Sequence, residues 1–184
     1  MDATCYESYI RFPTDVKLLW GCCEWVFEDQ LFSICSELGI KRPRSKFREQ
    51  KMAQMSYSRK RKNSFKETLR RRKARVYLLG KGIGQLQDIL DKNKGAGLDL
   101  NDFARLTVIK KVYKQQEFLL DNPSSLLKNR ILSLHKPYLR PIVRGKENKQ
   151  VEFGTKAHIL QLKTSEKTTW DKCPHTVNLT SIHV

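Results

Sequence analysis

From Val16 to Leu38 the apolar residues Val16, Leu19, Trp20, Cys23, Val26, Phe27, Leu31, Ile34 and Leu38 recur every three or four positions, the stripe that a helix buries. Thr14 stands where a hydroxyl can cap the first turn. Gly39 supplies the left-handed residue that commonly ends a helix, and Ile40 the hydrophobic contact that follows it. Trp20 and Trp25 read as core and flank residues of this helix rather than as base-stacking platforms. A second helix is predicted after Ser64, whose spacing to Glu67 is that of a capping box; Phe65, Leu69, Arg72, Val76 and Leu79 share one face and cations the other. Gly80, Gly82 and Gly84 are expected to interrupt it as a hinge before Ile83, Leu86, Ile89 and Leu90 resume the pattern. A third helix, capped by Asp99 or Asn101, carries Phe103, Leu106, Ile109, Tyr113, Gln116 and Leu120 and stops at Asn122-Pro123.

Beyond Leu134 the period shortens to two. Strands are predicted roughly over 138–144 and 151–162, joined as a hairpin through Gly145-Lys146-Glu147-Asn148. In the second, Val151, Phe153, Thr155, Ala157 and Ile159 share one face and Glu152, Lys156 and His158 the other. Residues 41–62 show no apolar period and too little apolar surface to fold alone, so a basic linker, flexible or ordered by nucleic acid, is expected there. Residues 163–184 also lack a period and form a divergent tail.

Charge sharpens this picture. The 184 residues carry a formal net charge of +17, and seventeen cations against two acids, Glu49 and Glu67, lie between Lys41 and Lys81. Such a block points to a polyanionic partner, and DNA is the partner expected. The candidate DNA-binding residues are Arg59, Lys60, Arg61, Lys62, Arg70, Arg71, Arg72 and Lys73 in the block, with Arg140, Arg144, Lys146 and Lys156 in the hairpin. A non-catalytic basic protein that binds RNA or ribosomes is the alternative that composition permits. The five cysteines are odd in number and form no Cys-x-x-Cys pair, which fits reduced thiols and a cytoplasmic protein. No run of eighteen apolar residues and no secretory signal occurs, so no membrane partner is expected.

Two separated motifs carry a resemblance. Asp2-Ala3-Thr4 with Ile10-Arg11-Phe12-Pro13-Thr14-Asp15, and later Arg140 to Lys146 with Glu152 to Gly154, resemble in kind and order the insertion-sequence transposases of the DDE superfamily, whose catalytic domain is ribonuclease-H-like. The likeness runs from Asp2 to about Leu162. It implies a DNA transposition protein and an α+β fold: an incomplete ribonuclease-H-like domain with a helical insertion followed by a β-hairpin. Residues 1–13 would be the remnant of the first catalytic strand, 14–130 the mainly helical insertion, and 131–162 the hairpin of the catalytic sheet. It implies Asp2 as the first catalytic acid and metal ligand, Mg²⁺ as the ion of the intact enzyme, and strand cleavage and transfer as the parent reaction. Two-metal chemistry of that kind needs several carboxylates. The family's second and third acids lie downstream of the hairpin, so the chain is expected to be a truncated piece that has lost cleavage and binds no metal, with a second copy or the intact transposase as further partner. Glu147, Glu152, Glu166 and Asp171 match none of those acids.

Overall fold

The computed structural model describes residues 2–7, 14–93, 97–127, 129–143 and 151–159. The first helix is a single rod of three parts: α1 (Asp15–Glu24), a π-helical stretch (Trp25–Phe32) and α2 (Ser33–Glu37). Thr14 caps it, its hydroxyl accepting from the Lys17 amide. At the far end Gly39 has φ +65°, the Ile40 amide donates to the Cys35 carbonyl and the Gly39 amide to that of Ser36. That is the Schellman arrangement expected from the glycine. The π stretch has a physical use: bonding from i to i+5 brings Trp25 under Gln30 and Val26 under Leu31, and all four side chains are buried.

Helix α3 (Phe47–Arg59) occupies the segment expected to be a linker. Its first residue, Phe47, is 3% exposed, stacked on Phe27 at 5.0 Å and Trp20 at 5.5 Å, with the Phe32 ring edge-on at 5.7 Å. The rest of its inner face is written in polar residues. Lys51 pairs with Glu28 at 2.5 Å, Gln54 accepts from Arg75, and the Tyr57 hydroxyl meets that of Thr68 at 3.0 Å. Residues 47, 51, 54 and 57 do keep a helical period, which a purely apolar count misses.

Helix α4 (Phe65–Lys92) runs unbroken through the three glycines expected to hinge it. Ser64 caps it by accepting from the Glu67 amide. Two of them, Gly80 and Gly82, serve packing instead. A Cβ at residue 82 would stand 2.6 Å from the Phe27 ring, and one at residue 80 would stand 3.0 Å from the Tyr113 ring. Helix α5 (Leu100–Asp121), capped by Asp99, buries Leu106, Ile109, Val112, Gln116 and Leu119. Phe103, expected on that face, is 63% exposed.

Three short segments pair through their backbones as an antiparallel sheet in the order β1 (Asp2–Glu7), β3 (Val151–Ile159), β2 (Arg140–Val143). Asp2 lies opposite Ile159 and Arg140 opposite Gly154. The expected α+β class, an incomplete ribonuclease-H-like domain with helices as an insertion, is nevertheless overturned. The described chain is mostly helical, and its buried cluster consists of side chains from the helices and the loop residue Ile131. The helices form the body because their long 3.6-residue stripes bury one another, which the short segments of alternating residues do not match in extent. The divergent tail lies outside the described residues.

Replacing Gly82 by Ala should lower stability by about 1–3 kcal/mol, because the Phe27 ring has to give way. Gly84→Ala, where a Cβ meets nothing within 4 Å, should raise stability by up to about 1 kcal/mol through helix propensity. Urea unfolding of both variants checks the opposed signs; equal effects would return the glycines to a conformational role.

Candidate nucleic-acid interface

The two faces of α4 differ in kind. Arg75, Val76, Leu79, Gly82, Ile83 and Leu86 are buried against the first helix and its neighbours, whereas Lys66, Arg70, Lys73, Tyr77 and Lys81 are exposed. The exposed five follow at intervals of four, three, four and four residues, which is one stripe of a helix. Fifteen residues of rise make the row about 22 Å long. Among the described residues none of its four cations makes a salt bridge. The acid within the first turn is already engaged: Glu67 takes Lys60 at 2.9 Å and Arg71 at 3.8 Å. The hydrogen bond from Lys60, with the charges of Lys60, Arg71 and Arg70, holds the Glu67 carboxyl below its ordinary range despite the opposing desolvation. Asp88, on the same face two turns past Lys81, ends the row.

The other residues singled out from sequence divide. Arg59, Arg61 and Lys62 are exposed at the corner between α3 and α4, and Lys60 beside them is spent on Glu67. Arg70 and Lys73 lie on the stripe. Arg71 leans to Glu67, and Arg72 turns inward to Asp15 and Gln116. Arg140 is half-buried and donates to the carbonyls of Pro137 and Leu139 at 2.6 and 2.8 Å. Arg144 and Lys146, and the side chain of Lys156, lie outside the described residues. Lys66 and Lys81 belong to the basic block but not to the candidates singled out within it; their spacing of four residues from Arg70 and Tyr77 is the signal that adds them.

Two arginines of the basic block do structural work. Arg75 is fully buried, donates to the Val16 carbonyl at 2.8 Å and to Gln54, and lies 5.8 Å from the centres of the Trp20 and Tyr57 rings. Among the described residues no carboxylate pairs with it, and burial pulls its pKa down to about 10. Arg72 belongs to a network around Asp15. One oxygen of Asp15 accepts from Gln116 at 2.9 Å and from Arg130; the other is 3.5 Å from Nε of Arg72, whose Nη2 donates to Gln116 at 3.2 Å. Gln115 accepts from the Ile131 amide and donates to the Asn129 carbonyl, where Asn129 takes a left-handed φ of 60°. α1, α4, α5 and the segment around Arg130 are thereby tied to a single carboxylate.

The surroundings of Asp15 do not suit a divalent cation, and the side chain of Asp2, the ligand that the resemblance implies, lies outside what the structure describes. A cleft of about 740 Å³ opens beside Asp15, but its walls carry Arg72, Arg130 and Arg140, a setting that repels divalent cations. The backbone of Asp2 is the first residue of β1, at an edge strand of the sheet. Among the described residues no three His, Cys, Asp or Glu side chains are grouped to hold a metal ion. No family model, curated protein or solved structure matches the chain. Among the described residues no helix is long and apolar enough to cross a membrane.

Asp15→Ala should cost about 1–3 kcal/mol in urea unfolding, since it leaves two guanidiniums and an amide without their acceptor. Arg130→Ala should cost less in that background than in the wild type, with a coupling of about 0.5 kcal/mol or more. Strict additivity would remove Asp15 from its place as a shared acceptor.

Proposed function

We propose that the chain is a DNA-binding protein of the transposition machinery that holds the nucleic-acid backbone along the outer face of α4. The single observation that carries DNA binding is the row of four cations, Lys66, Arg70, Lys73 and Lys81, without ion-pair partners among the described residues, on a helix whose opposite face is fixed in the core. A 22 Å row spans about six phosphates of one duplex strand at ~3.4 Å each. Arg59, Arg61 and Lys62 extend the positive surface around the corner at the N-terminal end of α4. The link to transposition rests on the order of the motifs at Asp2 to Asp15 and Arg140 to Gly154. The reading stops at binding; no cleavage step is assigned to the residues present.

Anisotropy titrations of a duplex oligonucleotide at several salt concentrations test this. Each phosphate contact contributes about −0.9 to the slope of log affinity against log salt. Replacing Lys66, Arg70, Lys73 and Lys81 together by Gln should flatten the slope by about 3 to 4. A wild-type slope near zero, or an unchanged slope in the variant, would sink the interface. Much tighter binding to duplex RNA than to duplex DNA would move the assignment to the RNA-binding alternative.

A further inference from the structure

Tyr77 stands in the middle of the cationic row with 74% of its surface exposed. Lys73 lies four residues before it and Lys81 four residues after it, both exposed on the same stripe. On a helix these positions are each about 6 Å from the tyrosine along the axis, so the two ammonium groups bracket one aromatic ring. The ring has no stacking partner, cation–π partner or hydrogen bond recorded among the described residues, unlike Tyr57, which bonds Thr68, and Tyr113, which bonds Glu117. The backbone beneath it is held firmly. Val76, Leu78 and Leu79 are buried, Gly80 meets the Tyr113 ring and Gly82 the Phe27 ring. A solvent-facing aromatic ring on a firmly held backbone, between two cations, is suited to a base with a free π-face, flanked by its phosphates. In intact duplex that face is covered by the neighbouring bases, and a tyrosine on the outer surface of a helix can do no more there than touch the backbone.

We propose that Tyr77 is a stacking platform that makes the α4 row a site for single-stranded DNA, with Lys73 and Lys81 on the phosphates to either side of the stacked base. The site rests on the DNA-binding reading above and gives it a substrate class: unpaired or melted strand in preference to closed duplex. Phe65, 83% exposed at the start of α4, stands off the stripe and has no part in the platform.

The full chain and its Tyr77→Ala, Tyr77→Phe and four-site Gln variants are titrated against oligo(dT), oligo(rU) and a closed duplex of matched length. Because residue 77 is exposed and Ala favours helix, the Ala variant should fold as the wild type does, and far-ultraviolet circular dichroism records this. Tyr77→Ala should weaken oligo(dT) binding by roughly 5- to 150-fold while leaving duplex affinity within about twofold, and Tyr77→Phe should keep most of the wild-type affinity. Equal losses on single strand and duplex, or no loss on oligo(dT) while the four-site variant still weakens binding, would overturn the platform and leave the cationic interface standing. If the four-site variant and Tyr77→Ala both bind as wild type, the interface itself fails. Oligo(rU) binding tenfold tighter than oligo(dT) would overturn the assignment to DNA.

Discussion

Everything on the outer surface of α4 depends on how closely its inner surface meets the first helix. Residue 82 can sit against the Phe27 ring only because it has no side chain, and Phe27 in turn is held by the stacked Phe47. Arg75, two turns earlier on the same inner face, reaches the Val16 carbonyl and fixes the rotation of α4 about its axis. With depth and rotation both set, Lys66, Arg70, Lys73, Tyr77 and Lys81 have one place to go, which is solvent. A turn of α4 by a single residue would carry a lysine toward the core, where an unpaired charge is costly.

The basic block is therefore two populations. In the run Arg70-Arg71-Arg72-Lys73-Ala74-Arg75, the helix sends Arg70 and Lys73 outward, Arg71 to Glu67, Arg72 to Asp15 and Arg75 into the core. The guanidiniums that turn inward have acceptors in fixed places: the Val16 carbonyl, the Gln54 and Gln116 amides and the Asp15 carboxylate. A planar fork with several donors suits such scattered acceptors, as an ammonium would not. Both ends of the exposed row, Lys66 and Lys81, are lysines, which stay strongly hydrated and meet phosphate as mobile point charges.

The parts of the helical body legible in sequence were those spelled by local chemistry. Thr14, Ser64 and Asp99 cap helices as their side chains allow, and Gly39 ends the first rod because it tolerates positive φ. Helix α3 was illegible because one apolar residue, Phe47, anchors it, and the remaining anchors, Lys51, Gln54 and Tyr57, have partners far away in sequence. Gly80 and Gly82 were misread for a related reason. A glycine between two apolar runs looks like a break until the ring lying over it is known. The class of the fold failed because it followed from the resemblance and from alternation over 138–162 alone, while the described core is helical. In the candidate site, clustering of charge was legible, but the division into outward and inward cations needed the rotation of α4.

The same distinction governs the acids. Asp15 ends a stretch in which the expected metal chemistry would want free carboxylates, yet its two oxygens face Arg72, Arg130 and Gln116. A carboxylate so engaged joins Asp15, at the start of the helical body, to Arg130, ten residues before β2, across 115 positions of sequence. Two motifs separated by most of a chain need a packing reason to sit together before chemistry can use them. The Asp15–Arg130 contact ties the first motif to the segment that leads into β2, and it holds whether or not any carboxylate elsewhere takes a cation. Spending Asp15 and Glu67 on internal arginines and lysines also leaves the outer row of α4 uncompensated, so the ties that order the helical body leave its surface charge facing outward. An unbalanced row of that kind repels itself in isolation and is relieved when a polyanion lies along it.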